Sequence, residues 1–106
     1  MRFRARDQKT IVFHPLVPIK EPHGITSEAW SEVGIPVTGV LQPAGGKVMA
    51  EMYGNRLAYM LTLYIGAGEP VEEGMGACIY IDNPDFKVVA IRRWQWHWVV
   101  DLEKHN

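Results

Sequence analysis

Cysteine is almost missing from this chain of 106 residues, which contains only Cys78. A single cysteine excludes an internal disulfide and every zinc or iron–sulfur site built from several cysteines. The chain also has no run of about 20 apolar residues, the length that a membrane-spanning helix needs. The basic start is not followed by the apolar stretch of a secretory signal. We therefore expect a protein made in a reducing cytoplasm, with no membrane contact.

The chain also lacks a large excess of positive or negative charge, because its formal net charge is -1. The chain as a whole therefore has no electrostatic attraction to nucleic acid or to an anionic membrane, and any such contact must be local. Arg2, Arg4, Arg6 and Lys9 form a basic N-terminus that either contacts phosphate or an acidic partner, or is a solvated tail. The chain length predicts one domain over residues 1–106.

Catalytic signatures are absent. The four histidines show no metal-ligand spacing, and no nucleophile elbow, phosphate loop or dinucleotide fingerprint is present. His97 and Asp101 share one face of a predicted strand, but they lie about 13 Å apart at strand rise, too far for a hydrogen bond. We predict no enzyme activity, no catalytic residue, no metal and no cofactor.

Short strands dominate what is present. Alternating apolar and polar residues, or β-branched and aromatic runs between turn residues, predict strands over 10–13, 36–42, 57–65, 77–81, 86–92 and 93–102. Consecutive short strands joined by turns predict a mainly β fold, a small antiparallel β-barrel with one short inserted helix. Thr26 as an N-cap and Gly34 beyond the end place that helix at 27–33.

Two segments are less regular. Residues 15–24 contain three prolines and are expected to form an irregular loop. Residues 47–53 follow the double glycine Gly45-Gly46 and are compatible with either a helix or a mobile segment. Flexible backbone beside methionine side chains suits a surface that repacks against a partner, although ordinary core packing is equally compatible.

The last predicted strand carries three tryptophans. Trp94, Trp96 and Trp98 share one face with Val100 and Leu102, and the other face holds Arg93, Gln95, His97, Val99 and Asp101. The aromatic face is either core or subunit interface, or a platform on which bases stack. We favour core or interface, because the apolar stripe continues and no basic residues flank it on that face.

The order of these features resembles the head-closure proteins of tailed phages and defective prophages, also called stopper or head–tail joining proteins. The resemblance rests on Val40-Leu41-Gln42-Pro43-Ala44-Gly45-Gly46, on Glu51-Met52-Tyr53-Gly54, on the strand 57–65, on Val71-Glu72-Glu73-Gly74 and on Phe86 to Ile91. It implies a structural β-barrel subunit of the virion neck. Such a subunit is monomeric in isolation and forms a ring, dodecameric in that family, beneath the portal and its adaptor.

The resemblance also implies partners and sites. The ring would contact the portal-adaptor protein, a tail-completion protein and further copies of itself, and would retain packaged DNA in its channel. The channel-closing loop would fall on 43–53, with Gly45, Gly46, Lys47, Met49 and Met52 as gating residues. From the residues themselves, a ring needs two different surfaces on each subunit, and the predicted surfaces are the loop 15–24 and the mixed face of Arg93, Gln95, His97 and Asp101. The alternatives are a tail-terminator or tail-completion protein, or a barrel that binds single-stranded nucleic acid.

Overall fold

The computed structural model describes residues 8–20, 24 and 26–105. Within them the chain forms eight strands, one α-helix and one 3-10 helix. The strands are β1 (Lys9–His14), β2 (Leu16–Lys20), β3 (Thr26–Trp30), β4 (Ile35–Pro43), β5 (Met60–Gly66), β6 (Gly76–Cys78), β7 (Phe86–Arg93) and β8 (His97–Lys104). Helix α1 (Lys47–Tyr53) and the 3-10 helix (Gly54–Tyr59) lie together between β4 and β5.

Six of the strands close into an antiparallel barrel. Their order is β1, β4, β5, β8, β7 and β6, and β6 pairs with β1 to complete the circle. The predicted fold class, a mainly β chain with a small antiparallel barrel and one short helix, is therefore confirmed. Closure gives the barrel strands neighbours on both sides, which removes free edges that would pair with other chains.

The barrel interior is filled by every second residue of each strand. Leu63 of β5, Val100 of β8 and Ile91 of β7 lie side by side and are buried. A register shift between Val88 and Ala90 interrupts the alternation in β7 and brings both Val88 and Ile91 into the core. The neighbouring residues of these strands point to the outside of the barrel, where the functional site is built.

Strands β2 and β3 form a separate antiparallel pair that leaves the barrel between β1 and β4. We call this pair the arm. The loop predicted over 15–24 and the helix predicted over 27–33 are therefore wrong: Leu16–Lys20 and Thr26–Trp30 are strands. Proline has no backbone N–H to donate to a neighbouring strand. Pro18 is tolerated because, within the described residues, each arm strand pairs on one side only, so its other side needs no donor.

Trp30 ties the arm to the barrel. Its indole Nε1 donates to the Gly74 carbonyl at 3.0 Å, and its ring packs edge-on against His105. Gly76 lies so close to this ring that an added Cβ would be 2.8 Å from it. Thr26, which matched a helix N-cap, pairs instead with Lys20 in the arm, and Trp30 forms this anchor.

The inserted helix lies at 47–53, the segment for which the sequence left helix and mobile segment open. Gly46 precedes it with a φ of 98° and Gly54 follows with a φ of 56°, conformations that other residues rarely adopt. A helix of seven residues is not stable alone in water. Its stability must come from the barrel surface that it covers.

The closing strand is shorter than predicted. β8 begins at His97, so Trp94 and Trp96 lie in the turn between β7 and β8 rather than on the strand. The prediction that all three tryptophans share one strand face is therefore wrong. Only Trp98 packs against the core with Val100 and Leu102. The alternation of residue types continues through the turn. The sequence therefore contains no signal for the residue at which strand pairing stops.

Two other strand boundaries differ from the predicted ones. Residues 57–59 belong to the 3-10 helix, so β5 starts at Met60. β6 ends at Cys78, because the Asp85 carboxylate accepts the backbone N–H groups of Ile79 and Tyr80, at 2.7 and 3.0 Å, and holds them in a turn.

Candidate functional site

The outer wall of β5, β8 and β7 carries the candidate site. Tyr64, Val99 and Arg92 form one row of outward-facing residues across the three strands, and Thr62, Asp101 and Ala90 form the next. Outward residues of a barrel are normally solvated, yet Thr62 and Asp101 are buried. The segment 44–59, which contains α1 and the 3-10 helix, lies over them.

Met49 provides the apolar contact between α1 and the barrel wall. It is 5% exposed, and its Sδ atom lies 3.7 Å from the Thr62 hydroxyl and 3.9 Å from Arg92 Nη2. Met52 on the same helix is 54% exposed. The two predicted gating methionines therefore differ: Met49 holds the helix to the barrel, and Met52 faces solvent.

Asp101 is the polar centre of the docking surface. Its side chain is fully buried and accepts two hydrogen bonds of 2.8 Å, one from the Tyr53 hydroxyl and one from Arg92 Nη2. A buried carboxylate is tolerated only when it is paired and hydrogen-bonded, and both partners here meet that need. Burial and the hydrogen bond to Asp101 raise the pKa of the Tyr53 hydroxyl to about 12.

Arg56 makes a second attachment. Its guanidinium donates two hydrogen bonds to the Glu103 carboxylate, at 2.7 and 2.8 Å, in the two-pronged geometry that suits this pair. The same guanidinium lies 5.4 Å from the centre of the Tyr53 ring. The hydrogen bond from Arg56 lowers the pKa of Glu103. The segment 44–59 is thus held by one buried methionine and a set of polar contacts.

A cleft of about 420 Å³ opens between the start of α1 and the barrel wall. Three of the predicted gating residues, Gly45, Gly46 and Lys47, line it together with Met49. The wall side contributes Gln42, Pro43, Thr62, Tyr64 and Arg92. The structure therefore brings four of the five predicted gating residues to one cleft, although the clustering does not test their gating role.

The four residues of the predicted interface are not brought together. Arg93, Gln95 and His97 lie at the turn between β7 and β8, where Arg93 is 4.9 Å from the centre of the Trp98 ring. Asp101 is buried beneath α1 and does not belong to that surface. The strand pattern placed His97 and Asp101 on one face correctly, but it contained no sign of the helix that covers half of that face.

Sequence reasoning missed Arg92, Tyr53 and Tyr64. Tyr64 had a usable signal, because it alternates outward on its strand as Asp101 does on β8, and two such polar positions mark a polar wall. The register between β5, β8 and β7, which brings them together, was not readable from the sequence.

Lys9 and Cys78 lie away from the site. Arg2, Arg4 and Arg6 are outside the described residues, whereas Lys9 donates to the Ile79 carbonyl at 2.9 Å. Cys78 is a half-buried free thiol, and burial raises its pKa. Within residues 8–20, 24 and 26–105, no group of three or more His, Cys, Asp or Glu side chains is placed to hold a metal ion.

No helix in the described part of the chain is long and apolar enough to cross a membrane. No family model, no curated protein and no solved structure matches this chain.

Proposed function

We propose that this chain is a head-closure subunit of a phage neck, a structural protein that forms a ring under the portal and adaptor, retains packaged DNA and presents the surface on which the tail docks. The proposal rests on the sequence resemblance together with one structural observation. Between adjacent barrel strands β4 and β5, the segment 44–59 leaves the wall, forms its own helix and packs back against the outside of the barrel.

That segment has the properties that a movable closing element requires. Its helix is flanked by Gly46 and Gly54 in conformations that few other residues adopt, so the backbone can turn sharply at both ends. Besides Met49, the hydrogen bonds of Tyr53 to Asp101 and of Arg56 to Glu103 hold it to the barrel, and polar groups exchange protein partners for water at a smaller cost than apolar groups do. The segment can therefore leave the wall while the barrel core remains intact.

A ring requires two different surfaces on each subunit, because cyclic assemblies use heterologous contacts. The arm and the β7–β8 turn are two separate structures outside the barrel wall. Leu16 and Val17 of the arm and Trp94 and Trp96 of the turn are exposed apolar side chains. These two surfaces supply what a ring neighbour, an adaptor or a tail-completion protein would contact.

Electron microscopy of particles made with and without this chain tests the proposal. Phage heads from cells that lack the chain should release DNA and fail to join tails, and adding the purified chain should restore tail joining. Particles with the restored chain should show a ring of barrel density at the portal vertex. A chain found only on isolated tails would favour the tail-terminator alternative, and a chain on neither heads nor tails would contradict both.

A matched pair of variants tests the role of α1. Met49→Ala removes the buried side chain that docks the helix, whereas Met52→Ala removes an exposed one from the same helix. We expect Met49→Ala heads to retain less DNA than wild type while the ring still assembles, and Met52→Ala heads to retain DNA normally. Equal retention by both variants would remove α1 from the closing role.

A further inference from the structure

The two outer edges of the arm differ in the hydrogen-bonding groups that they offer. Within the described residues, β2 and β3 pair only with each other, so one edge of each strand is free. In an antiparallel pair, residues that hydrogen-bond across the pair alternate with residues whose N–H and C=O groups point outward. The phase of this alternation decides which backbone groups each free edge presents.

One hydrogen bond fixes that phase. The Ser31 N–H donates to the Pro15 carbonyl at 2.7 Å, one position beyond the pair formed by Leu16 and Trp30. This pair and every second pair after it therefore bond across the arm, and the pairs between them point their backbone groups outward. The outward residues are Leu16, Pro18 and Lys20 on β2, and Thr26, Glu28 and Trp30 on β3.

The free edge of β2 is blocked, whereas the free edge of β3 is open. Pro18 occupies the middle of the outward row on β2 and has no N–H to offer an added strand, a device that protects sheet edges. The outward row on β3 contains no proline. β5 pairs with β4 only from Gly39 onward, so no described strand of the barrel continues alongside β3. We therefore expect strand addition on β3 and not on β2.

The side chains along β3 specify what can bind there. Glu28 is exposed at the centre of the open edge. Pairing β3 with β3 of a second copy in full register would place Glu28 opposite Glu28, and like charges directly opposite destabilise a strand pair. On the other face of the arm, half-buried Ala29 pairs with Val17, which is 38% exposed. The edge therefore suits a strand with a cation on one face and apolar residues on the other.

The N-terminal segment of the chain has this pattern. Arg2, Arg4 and Arg6 alternate with Phe3 and Ala5. Added to a sheet as a strand, such a sequence places its arginines on one face and its apolar residues on the other. The basic N-terminus, for which the sequence left an acidic partner and a solvated tail open, therefore has a matching acidic edge in the arm.

The two rows also match in register. Placing Arg4 beside Glu28 centres them on each other in either strand direction, and opposite charges directly across a strand pair are stabilising. The same register places Phe3 or Ala5 next to Ala29 on the other face. Both faces of the added strand are then complementary to the arm.

The segment is too short to reach the arm of its own copy. Glu28 pairs with Pro18, which lies nine residues after Lys9, or about 30 Å along the strands at their usual rise. Arg4 lies five residues before Lys9, so the chain between them spans at most about 18 Å. The added strand must therefore come from a second copy.

We infer that the free edge of β3 binds residues 2–6 of a second copy as a third strand of the arm, with Arg4 paired to Glu28. Strand addition takes its affinity from main-chain hydrogen bonds and its specificity from alternate side chains. The donated strand and the accepting edge are different surfaces, so repeated contacts run head to tail and give a ring or a filament. The inference goes beyond the proposed neck role and does not rest on it, because this contact needs only copies of the chain.

Binding of a peptide with the sequence of residues 1–8, labelled with fluorescein at its C-terminal end, tests the inference on the purified full chain. At low salt we expect fluorescein anisotropy to rise. A peptide of the same composition with its three arginines adjacent should bind at least about fivefold more weakly. Hydrogen exchange followed by NMR should show the amides of Thr26, Glu28 and Trp30 slowed at least about fivefold by the peptide, with those of β5 and β8 unchanged.

Two proline variants compare the edges. Thr26 and Lys20 face each other in the arm, and both point their N–H groups outward. Thr26→Pro should weaken peptide binding by at least about fivefold, because it removes one hydrogen bond to the added strand. Lys20→Pro makes the same change on the β2 edge and should leave binding within about twofold of wild type.

Charge exchange tests the pairing of Arg4 with Glu28. Glu28→Lys should weaken binding of the wild-type peptide by at least about tenfold, and a peptide carrying Arg4→Glu should restore it to within about threefold. Glu51→Lys, at an exposed residue of α1, changes the net charge equally and should alter binding by less than about twofold. A misfolded Glu28→Lys chain could not regain binding with the exchanged peptide, so restoration separates pairing from folding.

Three results would overturn the inference. The first is no rise in anisotropy and no slowing of the β3 amides. The second is equal weakening by Glu28→Lys and Glu51→Lys without restoration by the exchanged peptide, which would show charge attraction without a defined site. The third is loss of binding in Lys20→Pro but not in Thr26→Pro, which would place the added strand on β2. All of these use the isolated chain, so they are independent of the particle experiments on the neck.

Discussion

Asp101 is the residue on which the attachment of α1 depends most. Asp101→Asn preserves the shape of the side chain but removes the charge that Arg92 pairs with at 2.8 Å. We expect the free energy of unfolding to fall by about 2–3 kcal/mol, because the guanidinium is left partly buried without a counter-charge. Urea unfolding monitored by circular dichroism measures this loss.

Glu103→Gln is the matched control for Asp101→Asn. Glu103 lies on the same strand as Asp101, and the substitution breaks its ion pair with Arg56 of the 3-10 helix, which is more exposed to water than the pair of Asp101 and Arg92. Its cost should be clearly smaller than that of Asp101→Asn. Equal losses in the two variants would show that burial of Asp101 does not distinguish the two ion pairs.

Tyr53 makes stability depend on pH in the alkaline range. Its pKa in the folded protein is about 12, above the value near 10 expected in the unfolded chain. The folded state therefore holds the phenol proton more tightly, so this stabilisation is complete below about pH 10 and is lost as the pH rises towards 12. The loss should be about 1 kcal/mol, less than the full shift implies, because the hydroxyl is partly solvated.

Comparison with Tyr53→Phe isolates this contribution from the other tyrosines. Denaturant unfolding at steps between about pH 9 and pH 12 should show the two curves converging as the pH rises. Parallel curves over this range would contradict a raised pKa at Tyr53.

At the scale of elements, the pairing of β4 with β5 depends on a glycine. Gly39 lies opposite Ile65, and an added Cβ would overlap the Tyr64 carbonyl oxygen and come within 2.8 Å of the Ile65 side chain. We expect Gly39→Ala to lose about 2 kcal/mol or more of unfolding free energy, because backbone inside a closed barrel cannot move aside.

Gly45→Ala is the control for Gly39→Ala. No atom lies within 4 Å of the added Cβ, and Gly45 is not among the glycines with positive φ. Its unfolding free energy should stay within about 0.5 kcal/mol of wild type or rise slightly, as the unfolded chain loses freedom. Thermal and urea unfolding of the two variants measure the contrast, which would be absent if β4 and β5 were not closely paired at Gly39.

At the scale of the whole molecule, the barrel and the arm should differ in local stability. Barrel strands have neighbours on both sides, whereas β2 and β3 pair only with each other within the described residues. Two-stranded sheets are marginal in water, so the arm should open without global unfolding. Hydrogen exchange measured by mass spectrometry should show amides of the arm exchanging at least about tenfold faster than those of β5 and β8.

Trp30→Phe extends that experiment, because it removes the hydrogen bond to the Gly74 carbonyl that ties the arm to the barrel. Exchange in the arm should become faster still, with β5 and β8 unchanged. Arm amides that exchange only together with the barrel would show that the two are one cooperative unit.

The β character of the chain could be predicted from local patterns alone. Alternation in β5 and β8, and in β7 on either side of its register shift, places every second residue inward, and short strands joined by turns favour a barrel, as the structure has it. The cleft was partly predictable, since Gly45-Gly46 next to methionines indicated a separate segment. These features depend on residues close in sequence, which a pattern can record.

Tertiary structure decided which residues on the outside of the barrel are covered and which are exposed. The choice of helix at 47–53 and strand at 26–30 depended on which surface each segment could cover, because neither is stable alone. Burial of Asp101 and exposure of Trp94 and Trp96 followed from strand register and from where pairing ends. Such contacts join residues far apart in the chain, and their free energy exists only once the barrel has closed.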